Sequence, residues 1–161
     1  MKLMKELLNT MPQQGQIQWI GLRRQKREAL LSVDTAKVSV EKGLEGDHHK
    51  GRNKKRQITL IQAEYLDVVA SILKKEYIDP QVTRRNIMVS GINLQALKDR
   101  KIRLGKEVVL EVTGECHPCS RMETNLGPGG YNAMRSHGGV TAKVIQGGTI
   151  YLSDEVVMLV E

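Results

Sequence analysis

Apolar and polar positions alternate over short stretches along most of this chain, and the alternating runs are the first thing to read. I-Q-W-I-G-L (17–22), V-S-V (38–40), Q-I-T-L-I (57–61), N-I-M-V (86–89), E-V-V-L-E-V-T (107–113) and the tail T-I-Y-L-S-D-E-V-V-M-L-V (149–160) have the period and the β-branched content of strands. Glycines and turn residues separate them. One segment has the helical period instead: from Ala63 to Glu76, Tyr65, Leu66, Val69, Ile72 and Leu73 fall on one face. Lysines follow at its C-terminal end, where the helix dipole favours cations, and Asp79-Pro80 closes it. A second short helix is expected over Leu94–Asp99. Strands outnumber helices and do not alternate with them regularly. The expected fold is therefore mostly β, a barrel or open barrel with a few short peripheral helices.

The whole chain, 1–161, reads as one domain without repeats, with residues 1–14 as an N-terminal cap or short helix. With no Phe and one Trp, its core must be mainly aliphatic. No apolar run approaches the roughly 20 residues of a membrane span. The amphipathic start, MKLMKELLNTMPQQ, lacks the pattern of a secretory signal, so a cytoplasmic location with reduced thiols is expected. The net charge of +7 points to an anionic partner, and the basic residues cluster at 22–27, 48–56, 83–86 and 98–103. Aromatic residues make up only 3%, too few to interleave with these clusters as stacking platforms, which argues against nucleic acid.

Both cysteines fall in E-C-H-P-C-S-R-M-E, Glu115 to Glu123. Ser120 and Glu123 have capping-box spacing, which predicts a short helix starting at Arg121 with Cys119 just before its N-cap. Helix-start amides and the Arg121 charge would both favour a thiolate at Cys119, making it a better candidate than Cys116 for the reactive sulfur. Four readings remain open at this point. The cysteines can be buried apolar packing. They can be half of a zinc site, although the second pair of ligands, sought among His48, His49, His117 and His137, does not announce itself. They can be an exchanging dithiol, although no thioredoxin-like pattern precedes them. Or a thiolate can serve a soft metal beside an anion pocket.

Two glycine-rich stretches could furnish such a pocket. In G-P-G-G-Y-N-A-M-R-S-H-G-G (127–139), Tyr131, Asn132, Arg135 and His137 stand between glycines, and Asn132 to Ser136 is expected to form one helical turn. In G-L-E-G-D-H-H-K-G-R (43–52) a tight turn precedes His49 and Arg52, the latter a suitable phosphate ligand. In T-R-R-N-I (83–87) strand alternation should put Arg85 and Asn86 on opposite sides.

Taken in order, G-L-E-G-D-x-H-x-G, R-Q-I-T-L-I, R-R-N-I-x-V-S-G-I-N-L, C-H-P-C-S-R-M-E and G-G-Y-N-A-M-R-S-H-G-G-V-T-A-K-V resemble the molybdenum-cofactor sulfurase C-terminal domain, MOSC, over Ile17 to Val160. The chain is similar to small stand-alone bacterial-type members. The resemblance implies a β-barrel that binds molybdenum cofactor, a phosphorylated pterin (molybdopterin) carrying molybdenum, which a purified sample can lack. It implies Cys119 as metal ligand or sulfur carrier and leaves Cys116 as a further thiol. Arg85, Asn86, Arg121, Arg135 and His137 become the residues to hold the pterin phosphate, with Tyr131, Asn132, Arg52 and His49 as further cofactor contacts. It implies either reduction of N-hydroxylated compounds or a non-catalytic role carrying persulfide sulfur or cofactor. A zinc-stabilised anion-binding module is a third option. With no pyridoxal-phosphate sulfurase or ferredoxin domain in the sequence, an electron-donor or sulfur-donor protein is the expected partner.

Overall fold

A computed structural model describes residues 1–48 and 53–160. His49 and Arg52 lie outside the described residues. Within them the strands are β1 (Gly15–Leu22), β2 (Leu31–Val33), β3 (Thr35–Ser39), β4 (Gly43–Leu44), β5 (Ile58–Gln62), β6 (Ile87–Ser90), β7 (Lys101–Leu104), β8 (Val108–Glu115), β9 (Val140–Gln146), β10 (Gly148–Tyr151) and β11 (Glu155–Met158). The main sheet runs β11-β7-β8-β9-β5-β6-β1-β2, and β11 also pairs with β1. That last pairing closes seven strands into a barrel, with β2 attached outside the ring along β1. Closure removes the open edges that an exposed sheet must otherwise protect. β10, β3 and β4 form a separate small sheet.

All pairs within the barrel are antiparallel except β5 with β6. Their connection carries helix α2 (Ala63–Leu73), so this one βαβ unit sits within an otherwise antiparallel barrel. It also explains the consecutive apolar residues Leu60-Ile61 in β5 and Ile87-Met88-Val89 in β6. Ile58 and Leu60 point into the barrel core with Ile87 and Val89 of β6. Ile61 and Met88 point outward into a second core beneath the helices. That second core joins Leu66, Val69 and Ala70 of α2 to Met122 and Leu126 of α3 (Arg121–Leu126) and to Ala133 and Met134 of α4 (Gly130–Met134). A strand pair covered on both faces needs apolar residues at consecutive positions.

Several elements differ from the sequence expectation. α2 ends at Leu73, three residues early, because Lys74 takes a left-handed conformation. Its buried stripe includes Ala70, while Ile72 is 55% exposed. The expected helix at 94–99 is a 3-10 turn, Leu94–Leu97. The tail read as one strand is two, β10 and β11, in different sheets, divided by a turn with Ser153 at φ 72°. Near the chain start, the expected cap is α1 (Met4–Leu8), with no buried side chain. Among the described residues no helix is long and apolar enough to cross a membrane.

Candidate functional site

The cysteine loop is an extension of a strand pair. β8 and β9 stay paired, with register shifts at Val109/Leu110 and Val112/Gly114, to Glu115 opposite Val140, and the next rung is a bond from the Cys116 N–H to the Gly139 carbonyl, 2.8 Å. Cys116 is thereby held at the barrel rim with its side chain only 4% exposed. Gly138 lies directly against the Cys116–Pro118 backbone, and a Cβ there would collide with the Cys116 carbonyl. Gly139, at φ 95°, presses as closely on the Leu60 carbonyl of β5. These two glycines let three backbone segments meet where side chains could not fit.

Arg85 locks this junction. Its buried guanidinium donates from Nε to the Gly138 carbonyl at 2.7 Å, from Nη2 to the His117 carbonyl at 3.1 Å and from Nη1 to the Thr83 carbonyl at 3.3 Å. The planar fork of a guanidinium suits several fixed acceptors at once. Asn86 points the other way, as alternation requires. Its amide donates to the Gly21 carbonyl at 3.1 Å, and its Oδ1 accepts from Thr59 N and Oγ1 at 3.3 and 3.2 Å. Both residues, expected at the pterin phosphate, thus direct these hydrogen bonds to the protein itself and position the walls of the site. A sequence read without tertiary contacts could not separate a ligand-facing arginine from a bracing one.

Cys119 stands at the outer end of the loop, exposed. Its carbonyl accepts from Met122 N at 3.0 Å as α3 begins at Arg121, the start expected from sequence. The cap itself differs. Ser120 is already in the helical region and makes no side-chain cap bond. Glu123 turns forward instead: its carboxylate accepts from Gly129 N at 3.1 Å and Tyr131 N at 3.0 Å, tying α3 to the start of α4. These backbone donors hold the Glu123 carboxyl below its ordinary value, Tyr131 contributing most. A depressed folded-state pKa contributes stability above the unfolded value, and that contribution fades as pH falls through the folded one. The melting temperature of wild type should therefore exceed that of Glu123→Gln from neutral pH down to about 4.5, and the gap should close under more acid conditions in parallel thermal melts.

The helical turn expected over 132–136 is α4, displaced two residues earlier, and Ser136 follows at φ 68°. Tyr131 and Asn132 are exposed on it, and Arg135 is exposed just beyond its end. His137 is half-buried: its Nδ1 faces the Ala133 carbonyl at 3.2 Å, and its ring meets the Tyr65 ring edge-on at 5.2 Å between centroids. The two cysteines thus differ in exposure, and no cluster of three or more His, Cys, Asp or Glu side chains fit to hold a metal occurs among the described residues.

Beside the cysteine loop opens a cavity of about 580 Å³ lined by Arg23, Arg27, Arg84 and Arg121. Only Arg121 was singled out from sequence. Arg23 and Arg27 belong to the basic run at 22–27. The cavity walls are fixed by a Gln81 side-chain bond to the Leu30 carbonyl, 2.8 Å, and an Asn125 bond to the Val82 carbonyl, 2.9 Å. Arg84 sits at φ 62°, and this left-handed residue turns the backbone so that neighbouring arginines diverge, Arg85 to the clamp and Arg84 to the cavity. The Nε of Arg23 is buried and has no hydrogen-bond partner among the described residues.

A closed seven-stranded barrel, a small helical cap on its one parallel pair, and an exposed cysteine braced at the rim define a β-barrel domain of the MOSC type. The MOSC domain model matches residues 45–157, and the chain belongs to that family. The family is associated with binding of molybdenum cofactor in general. No curated protein matches the sequence. Among solved structures, the YuaD protein from Bacillus subtilis is similar with a TM-score of 0.80 at 20% identity, covering 91% of this chain and 97% of that one. YiiM from Geobacillus stearothermophilus gives 0.73 at 16%, covering 90% and 75%, and YiiM from Escherichia coli 0.68 at 16%, covering 91% and 70%. At these identities the likeness is one of fold.

Proposed function

We propose that this protein binds molybdenum cofactor with the Cys119 thiolate as metal ligand, and that it reduces N-hydroxylated compounds with electrons from an external donor protein. The observation that carries the reading is the placement of Cys119: an exposed sulfur on a loop whose base is fixed by Arg85 and by the Cys116–Gly139 rung. The donor set fits the group. A thiolate suits a soft metal, and guanidiniums suit a phosphate. The partnerless Nε of Arg23 supplies a donor that an anionic ligand would satisfy. Arg121, two residues from Cys119, would hold the phosphate together with Arg23, Arg27 and Arg84, while Tyr131 and Asn132 on α4 and Arg135 at its end would meet the pterin.

When bound, the cofactor supplies a two-electron centre able to take an oxygen atom from substrate. The chain's own part is to present one sulfur in fixed orientation and to neutralise the anionic end. Arg85 and Asn86 act as positioning residues, since their bonds hold the backbone on which the ligands stand. Protein made in a host that synthesises the cofactor should contain stoichiometric molybdenum and reduce a hydroxylamine-type substrate with an artificial electron donor. Loaded protein without that reduction would overturn the enzymatic reading.

The exposure of Cys119 also favours a second reading, a carrier whose Cys119 thiolate attacks the outer sulfur of a donor protein's persulfide, breaking that S–S bond, releasing the donor's thiolate and leaving a persulfide on Cys119. Cyanide-releasable sulfane sulfur on the isolated protein, abolished in Cys119→Ala, would mark the carrier.

A further inference from the structure

Helix α1 is inverted relative to an ordinary surface helix. Leu3, Met4, Leu7 and Leu8 recur at the spacing of one helical face, while Lys2, Lys5, Glu6 and Asn9 fall on the other. Such a helix ordinarily turns its apolar stripe to the core. Here the bonds that hold it to the barrel are polar: Arg100 donates to the Asn9 side chain and, at 3.2 Å, to the Leu8 carbonyl. No side chain of α1 is buried, and the four apolar residues are 51–71% exposed. The segment is nonetheless tied down. The Glu6 carboxylate accepts from the Leu3 N–H at 3.1 Å, the Thr10 hydroxyl donates to the Glu6 carbonyl at 2.7 Å, and Met11 packs against the barrel core.

The neighbouring rim extends this face. The Leu159 N–H donates to the Lys101 carbonyl at 2.9 Å, which brings the exposed Val160 to the start of β7, next to Arg100. Along α1 and the turn before β7 stand Lys2, Lys5, Lys98 and Arg100, against the carboxylates of Glu6 and Asp99. An apolar face left in water marks a contact with something else, and its composition says with what. Interfaces between proteins gather aromatic residues and are depleted in lysine. This face has leucines and methionines beside lysines, and no aromatic ring. That is the make-up of helices that lie in the plane of a lipid surface, with aliphatic side chains among the acyl chains and lysines at the headgroups. Charge disfavours a second copy, because each chain carries +7 and would bring the same cations to the contact.

We propose that α1 docks the domain on an anionic lipid surface, in a reversible contact that spans nothing. The barrel fixes what then faces that surface. β1 and β7 begin, and β8 ends, at one end of the barrel, because the pairs β1–β11, β11–β7 and β7–β8 are all antiparallel. The cysteine loop follows β8, so docking holds it at the lipid-facing end. The proposal goes beyond the cofactor reading and does not depend on it.

Full-length protein should be sedimented with vesicles of phosphatidylcholine alone and with vesicles of phosphatidylcholine and phosphatidylglycerol in equal parts. Binding is expected to be about tenfold or more tighter on the anionic vesicles and to weaken as salt is raised. Leu3→Glu with Leu7→Glu should abolish it. Lys2→Gln with Lys5→Gln should weaken it about tenfold or more, at roughly fivefold per lysine. Lys74→Gln with Lys75→Gln, just past the end of α2, removes the same charge elsewhere and should bind as wild type does. All these positions are exposed, and circular dichroism should show one fold throughout. No sedimentation with anionic vesicles, equal binding to both kinds, binding unchanged in the leucine variant, or equal weakening in the two lysine variants would overturn the proposal. A dimer in solution that the leucine variant dissolves, without vesicle binding, would overturn it in favour of a second copy.

Discussion

Cys119→Ser should lose molybdenum from protein produced in a cofactor-competent host, while Cys116→Ser should retain it. The two thiols are three positions apart and chemically identical in isolation, so burial must separate them. Cys119 is exposed at the outer end of the loop, where a ligand can approach it. Cys116 is 4% exposed, its backbone taken into the β8–β9 ladder and its side chain turned into the protein. A serine hydroxyl is a poor substitute for a thiolate at a soft metal, so the first replacement removes the ligand. The second puts a hydroxyl where a weakly polar sulfur packs, at a cost of about 1–3 kcal/mol in stability and without touching the metal. Elemental analysis of both variants after identical purification decides the matter. Equal loss would place both sulfurs on the metal.

Arg85→Met should destabilise the fold by about 3–5 kcal/mol, the scale for removing one partner of a buried charged interaction. That is a large share of the roughly 5–15 kcal/mol that holds a domain together. The methionine fills much of the volume but leaves the carbonyls of Gly138, His117 and Thr83 without their donor. Denaturant titration measures the loss. Arg85→Lys should recover little of it, because one ammonium cannot span three carbonyls that a planar fork reaches together. Full recovery by lysine would mean that charge alone, and not the fork, holds the junction. Since the clamp fixes the loop bearing Cys119, both variants should also bind cofactor less tightly than wild type.

The strands at 17–22, 57–61 and 107–113 were legible because their alternation and β-branched content answer to a barrel core on one face. β7 was hidden within the basic run K-D-R-K-I-R. In K-I-R-L only Ile102 and Leu104 turn inward, and the flanking lysine and arginine, read alone, suggest a solvated loop. β9 was hidden among the residues after the glycine loop. Its short side chains Thr141 and Ala142 are buried, and its pairing partners, β8 and β5, come from well before it in the chain. The cap at Glu123 was misread for a related reason. The spacing to Ser120 is local, but the donors that won are at the start of α4, six and eight residues on.

By itself the sequence determined that the domain is a mostly β barrel, that the α2 segment is helical, and that a cysteine precedes a short helix amid glycines and arginines. These follow from periodicity, capping and turn chemistry, which act over a few residues. Only the tertiary structure decided which arginine braces and which faces the cavity, and which cysteine is buried. Arg85 reaches carbonyls 32 and 53 positions away, and Arg23 joins Arg121 across the cavity because barrel closure and the helical cap bring their segments together. A side chain's role here depends on which distant backbone closes against it, and no pattern of neighbours along the chain encodes that.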